Sequence, residues 1–315
     1  MNPIVFVSTL DAEQQQLWLQ ALKQGLPDET IYLAEQVDIN ERDNIDIAIV
    51  ANPDPIELSK FPKLLWIQSL WAGVEKLVSE LSSQKSSVKL VRLIDPQLAK
   101  TMAESVLAWT LYLQRQMYQY AKQQQAKYWH QLPCIASSDL RVCVLGAGEL
   151  GLAAIEALKK LDYQVNCWSR STKNIKNVTH YTGESGFNEV LQCADILINL
   201  LPLTEQTHKI LNYQTMSQLP KGAQLINFSR AGVVDTDALL HHLNNKHIEH
   251  AVLDVFDIEP LNKASEIWHH PKITVLPHIS APTNMQTATS IVSKNITRYR
   301  NSGVLPRLVN LKTGY

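Results

Sequence analysis

The residues of this chain able to do chemistry lie where apolar, strand-length runs stop. Leu140-Arg141-Val142-Cys143-Val144-Leu145 ends in Gly146-Ala147-Gly148-Glu149-Leu150-Gly151, and helical spacing resumes from Leu152 to Leu161. Amide N–H groups at the positive end of such a helix hold a diphosphate. Gly146 allows the tight turn, Gly148 lets backbone approach the diphosphate, and Gly151 lets the helix pack closely on the strand. A glycine turn also has purely structural uses, but the strand before and the helix after favour a dinucleotide. About twenty residues on, an NAD site needs an acid for the ribose 2′-hydroxyl. Here Ser169-Arg170-Ser171 stands in that place, with Lys173 close behind. An arginine grips a 2′-phosphate that a carboxylate would repel, so NADP(H) is expected over NAD(H).

Three further segments repeat the pattern. Asn227-Phe228-Ser229-Arg230 places an arginine directly after a strand, and Leu253-Asp254-Val255-Phe256-Asp257-Ile258-Glu259-Pro260 places acids after another. Leu276-Pro277-His278-Ile279-Ser280 does the same with a histidine. Singly, each has a bland reading: a surface ion pair, a turn, a structural histidine. In an open parallel sheet, however, ligands bind beyond the carboxyl ends of the strands. All of these groups, with Leu200-Leu201-Pro202, would then share one rim.

The elements needed to build that rim are legible as strand–helix alternation. Strands are expected at 4–7, 31–33, 45–50, 64–70 and 88–93, with Asp11 capping the first helix. The fold class is therefore α/β, with a small parallel unit in the first part of the chain. Thr101-Met102-Ala103-Glu104 has capping-box spacing and opens a helix expected to reach residue 128. After a linker at 129–138, strands follow at 140–145, 163–168, 194–200, 222–228, 250–255 and 273–276. Asp235 caps a helix between two of them, and a last helix is expected at 284–299.

Length and composition bound the rest. At 315 residues the chain suits two domains. It is 45% hydrophobic and 19% charged, with a net charge of −1, so nucleic acid and anionic membrane are not expected partners. No apolar run approaches the length of a membrane span, and no signal peptide is visible. Cys134, Cys143, Cys167 and Cys193 lack metal spacing and read as reduced core thiols of a cytoplasmic protein. Apart from His278, the histidines are expected on solvated helix faces or loops, and no metal site is expected.

Taken together, the glycine loop and the Arg230, Glu259 and His278 segments resemble the D-isomer-specific 2-hydroxyacid dehydrogenases over nearly the whole chain. Cys167-Trp168-Ser169-Arg170, Leu197-Ile198-Asn199-Leu200-Leu201-Pro202, Trp129-His130-Gln131-Leu132-Pro133 and Gly314-Tyr315 are similar to the glyoxylate/hydroxypyruvate reductase A branch. The resemblance implies two domains, each with a parallel doubly wound sheet. An NADP-binding Rossmann domain (101–280) is inserted into a flavodoxin-like substrate domain (1–100 plus 281–315). It implies NADPH-dependent reduction of glyoxylate or hydroxypyruvate, with His278 as general acid. Glu259 hydrogen-bonds the imidazole and favours its charged form, and Arg230 forks the substrate carboxylate. Asp254 anchors the nicotinamide carboxamide. Backbone N–H groups of Ala72 and Gly73 complete the carboxylate clamp in an interdomain cleft. The implied cofactor contacts are Gly146, Ala147, Gly148, Glu149, Leu150, Gly151, Ser169, Arg170, Ser171, Lys173, Leu200, Leu201, Pro202, Ser229, Asp254 and Ser280. The chain departs from the family pattern at Trp71, where a small residue is commoner, and at Ala51, where the branch carries tryptophan. Trp71 either serves packing alone or stands beside the substrate, where its bulk would favour short acids. A homodimer is expected by analogy, through the helix beginning at Thr101. The alternatives are a dehydrogenase of another 2-hydroxy acid and a non-catalytic, cofactor-sensing protein like the corepressors that share this fold.

Overall fold

In the central strands apolar side chains run without alternation, because helices cover the sheets on both faces. The computed structural model describes residues 2–84, 87–311 and 314. Its contacts divide the chain into a unit of Met1–Gln97 with Thr283–Tyr315 and a unit of Leu98–Pro282. Tyr315, the last residue of the Gly314-Tyr315 resemblance, lies outside the described residues.

The first unit contains β1 (Ile4–Ser8), α1 (Ala12–Gly25), β2 (Ile31–Leu33), β3 (Ile47–Ala51), α2 (Pro55–Ser59), β4 (Trp66–Ser69), α3 (Glu75–Ser83) and β5 (Lys89–Val91). All strands are parallel in the order β2-β1-β3-β4-β5, the flavodoxin-like winding. Asp11 caps α1 by accepting from Gln14 N.

The expected single helix from Thr101 to 128 is two helices, α4 (Pro96–Gln114) and α5 (Met117–Gln125). Its start is set by Asp95, which accepts from Gln97 N at 2.8 Å, and by Pro96, whose missing N–H costs nothing in a first helical turn. Thr101 is therefore in mid-helix and caps nothing. Gln116 breaks the run by adopting φ +52°, and its amide donates to Pro133 O at 3.0 Å.

The second unit contains β6 (Arg141–Leu145), α6 (Glu149–Lys159), β7 (Gln164–Trp168), β8 (Thr179–Tyr181), α7 (Gly183–Gln192), β9 (Ile196–Asn199) and α8 (Tyr213–Met216). β10 (Ala223–Asn227), α9 (Thr236–Asn244), β11 (Ile248–Leu253) and β12 (Ile273–Val275) complete it. Seven parallel strands run β12-β11-β10-β9-β6-β7-β8, a Rossmann order extended by one strand, and its direction reverses between β6 and β9. Because every pairing is parallel, all strand ends that carry polar segments fall on one edge. The edge strand β8 is too short and polar for the sequence to announce it. The chain then returns to the first unit with α10 (Met285–Ser302), capped by Asn284, whose Ala288, Val292 and Ile296 join the core with Ile4, Phe6 and Leu22. Among the described residues no helix is long and apolar enough to cross a membrane.

Candidate active site

At the reversal point the three glycines do three different things. Gly146 has φ +104°, and a Cβ there would stand 2.8 Å from Leu200 O, so the turn and the close pass by β9 both require glycine. At Gly151 a Cβ would lie 1.8 Å from Gly146 O, so α6 sits directly on the loop only because that side chain is missing. Gly148 caps α6, and a Cβ on it would meet nothing within 4 Å. The open space above Gly148, at the positive end of an eleven-residue helix, is the cradle a diphosphate needs. Glu149 is exposed beside it, Leu150 is half-buried and Ala147 is buried.

The loop after β7 is held by a residue the sequence did not mark. Ser169 Oγ donates to Ser171 O at 3.0 Å and meets His180 Nε2 at 2.8 Å. Lys173 N donates to His180 Nδ1 at 3.2 Å. These contacts are consistent only with a neutral imidazole that carries its proton on Nε2. Burial, then the Lys173 charge, lower the His180 pKa and keep it in that form. His180 thus fixes the Ser169–Lys173 loop, from which Arg170 and Ser171 project into solvent. No carboxylate occupies this position, and the residues present suit an anionic group.

Between the loops after β9 and β10 lies a buried amide pair. Asn199 Nδ2 donates to Asn227 Oδ1 at 2.9 Å, while Asn199 Oδ1 accepts from Leu201 N at 3.2 Å. Asn227 Oδ1 also accepts from Ser229 N at 3.3 Å, and its Nδ2 donates to Arg230 O at 3.3 Å. Ser229 Oγ donates to Leu201 O. The half-buried Leu200 and Pro202 flank this network, and Arg230 leaves it half-buried, its Nη1 donating to Ser229 O at 2.8 Å.

Glu259 and His278 are in direct contact, with Nδ1 2.7 Å from Oε2. The second carboxylate oxygen accepts from Phe256 N at 2.9 Å, which orients the acid. With Nδ1 engaged, Nε2 is the imidazole atom left for a ligand. His278 adopts φ +56°, a left-handed conformation uncommon for a side-chain-bearing residue. Asp254 holds the backbone that follows His278. It is fully buried, and its two oxygens accept from Ile279 N at 2.7 Å and Ser280 N at 2.8 Å. Ser105 on α4 donates to Ser280 O at 2.5 Å from the other side. A buried carboxylate is costly without such donors, so both partners are fixed by it.

Within the first unit, Trp71, Ala72 and Gly73 follow β4 at its carboxyl end. Trp71 N donates to Ser69 Oγ at 3.0 Å, and its indole meets Trp18 edge-on at 5.7 Å. Two expectations need correction. His242 and His250 are buried at 5% and 2% exposure rather than solvated, because α9 and β11 turn them inward. Cys134 is exposed in the linker, not a core thiol.

Residues 107–280 match the family model described as "D-isomer specific 2-hydroxyacid dehydrogenase, NAD binding domain". A D-isomer-specific 2-hydroxyacid dehydrogenase from Xanthobacter autotrophicus Py2, solved with NADPH and MES, superposes at a TM-score of 0.92 with 31% identity over 100% of this chain and 99% of its own. A family protein from Klebsiella pneumoniae 342 gives 0.89 and 34%, covering 99% and 98%. The NADPH-dependent glyoxylate/hydroxypyruvate reductase of Sinorhizobium meliloti, solved with NADP and sulfate, gives 0.91 and 28%, covering all of both chains.

Proposed function

Because the chain belongs to the D-isomer-specific 2-hydroxyacid dehydrogenase family, we propose that it is an NADPH-dependent reductase of small 2-oxo acids, glyoxylate and hydroxypyruvate foremost. The observation that carries this reading is the 2.7 Å Glu259–His278 contact, on the same sheet edge as Arg230 and the glycine turn.

When bound, NADPH supplies a hydride to the carbonyl carbon of the acid. The residues that would hold it are the amides of Gly146 through Gly151 for the diphosphate and Ser169, Arg170, Ser171 and Lys173 for the 2′-phosphate. Leu200, Leu201, Pro202, Ser229 and Ser280 complete its contacts. Asp254, given to the nicotinamide carboxamide by the family resemblance, is fully buried and would act there by holding the Ile279–Ser280 backbone in place. Arg230 presents a planar fork to the substrate carboxylate, which sets the carbonyl's orientation. His278 donates the Nε2 proton to the carbonyl oxygen in reduction and removes it in the reverse direction. Glu259 keeps the imidazole in the tautomer and orientation this requires, and stabilises its positive charge before the proton leaves.

The test is a panel of 2-oxo acids read by NADPH absorbance, repeated with NADH. Turnover of the short acids with a kcat/KM at least about tenfold higher for NADPH than for NADH is expected. Arg230→Ala should raise KM and His278→Asn should lower kcat. A protein that turns over no 2-oxo acid with either dinucleotide, or that prefers NADH, would overturn the proposal.

A further inference from the structure

Cys143 lies in the middle of β6 with no solvent exposure, and Cys193 caps the C-terminal end of α7, half-buried. Their sulfurs are 3.7 Å apart. The reaction above uses neither. Asn166, paired with Cys143 across β6 and β7, points its Nδ2 at both sulfurs, 3.6 Å from Cys193 and 3.9 Å from Cys143. The Arg141 guanidinium nearby favours negative charge on Cys193. Asp195 forks onto Arg141 at 2.6 and 3.0 Å and so holds that guanidinium in place.

The two thiols also divide their protons unequally. While protonated, Cys193 Sγ donates to Val190 O at 3.3 Å. The contact with Cys143, opposed by burial and aided by Arg141, lowers the Cys193 thiol below its ordinary value. The same contact, together with burial, pushes Cys143 well above its ordinary value. Cys193 is the partly exposed residue of the pair and Cys143 has no exposure, so the outer sulfur is the one that meets a peroxide and the inner one is its reserve, the layout of an attacking and a resolving thiol. Cys167 differs: burial pushes its thiol up to about 11.

We propose that Cys143 and Cys193 form a reversible redox site that peroxide closes into a disulfide. The Cys193 thiolate attacks one oxygen of hydrogen peroxide, the O–O bond breaks, and a sulfenic acid and hydroxide result. That hydroxide takes the Cys143 S–H proton and becomes water. The Cys143 sulfur then attacks the sulfenic sulfur, the S–S bond forms and a second hydroxide leaves. The two sulfurs together lose two electrons to the peroxide. Closure brings the sulfurs from 3.7 Å to about 2.05 Å. A small dithiol such as dithiothreitol reverses it by exchange.

The experiment treats the fully reduced full-length protein with hydrogen peroxide, quenches with catalase, unfolds it and alkylates the remaining thiols. Intact mass and a peptide map are then read. The expected result is a loss of roughly 2 Da, protection of Cys143 and Cys193 from alkylation, and one peptide linking them that dithiothreitol releases. In Cys193→Ser, at the half-buried helix end, Cys143 should remain alkylatable. In Cys143→Ala, dimedone should trap a sulfenic acid on Cys193. If Cys143→Ala fails to fold, the Cys193→Ser comparison decides alone. Recovery of both residues as free thiols, accumulation of sulfinic acid on Cys193 with no linked peptide, or an unchanged loss of mass in Cys193→Ser would each overturn the proposal.

Discussion

Replacing Glu259 by glutamine removes one acceptor and changes almost no volume, so it tests the Glu259–His278 contact more cleanly than truncation. The carboxylate now accepts twice, from His278 Nδ1 at 2.7 Å and from Phe256 N at 2.9 Å. An amide has one oxygen and one NH2 and cannot face two donors. If the oxygen stays on Phe256, the NH2 turns to Nδ1, which must then accept, and the imidazole loses the negative charge behind it. If the oxygen turns to His278, the Phe256 N–H is left facing a donor. A charge-assisted hydrogen bond is worth about 1.5–3 kcal/mol. The two side chains are 51% and 35% exposed, which places this one toward the lower end. A cost of about 1.5–2 kcal/mol in the transition state is about 10- to 30-fold in kcat. The assay is steady-state NADPH oxidation with glyoxylate, with the melting temperature as control. KM should change by less than about threefold, since carboxylate binding is given to Arg230. A correctly folded Glu259→Gln protein with kcat within about twofold of the parent, or with its loss entirely in KM, would refute the reasoning.

Other consequences follow from the same geometry. Gly148→Ala should leave the melting temperature nearly unchanged and weaken NADPH binding at least about tenfold, because its Cβ enters only the open cradle. Gly151→Ala should instead destabilise the fold by about 1–3 kcal/mol or more in denaturant titration, since its Cβ would lie 1.8 Å from a backbone oxygen. Arg170→Ala should raise the KM for NADPH about 10- to 100-fold and leave that for NADH unchanged. Burial, then the charges of Lys122, Lys272 and His270, push His250 from 6.5 down to about 3. The unfolded chain thus takes up a proton that the native state refuses, so this stability is complete above pH 6.5 and drains away as pH falls toward 3. The loss is about 1.4 kcal/mol per pH unit, or roughly 3 kcal/mol at pH 4.5. His250→Phe, which keeps the ring against Tyr118, should flatten the acid limb of the denaturation profile by that amount. An identical acid limb in both proteins would rule this account out.

The parts of the fold that were legible in the sequence are those where burial on both faces overrides everything else. β3 and β6 read as strands because their residues are buried almost without interruption. The break between α4 and α5 was illegible for the opposite reason. Neither glycine nor proline marks it, and Gln116 adopts a left-handed conformation whose hydrogen bond goes to Pro133, which the chain reaches only after α5. The start of α4 did carry a signal, Asp95 followed by Pro96. The capping-box spacing at Thr101 competed with it and is accidental.

The site divides along the same line. Arg230, Glu259 and His278 stood out because charged groups directly after buried strands are conspicuous and a parallel sheet gathers strand ends on one edge. The contacts that set their geometry did not stand out. Asn199 and Asn227 lie in segments singled out for other residues, and nothing in the sequence says that they pair across 28 positions, while His180 supports Ser169 from an edge strand too short to be seen. Asp254 acts on the histidine loop through backbone amides, which leave no trace in a sequence. The thiol pair is the extreme case, because only strand register decides whether those sulfurs meet. Cys143 and Leu145 face the layer that holds α7 residues such as Val190 and Leu191, whereas Val142 and Val144 face the layer with Ile155 of α6. Register fixes Cys143 opposite Asn166, and a slip of one residue in β6 would turn the cysteine to the α6 face, far from Cys193. The same register that aims β6 at the glycine turn therefore also places its one sulfur against α7, so the redox site is as firmly built into the fold as the dinucleotide cradle.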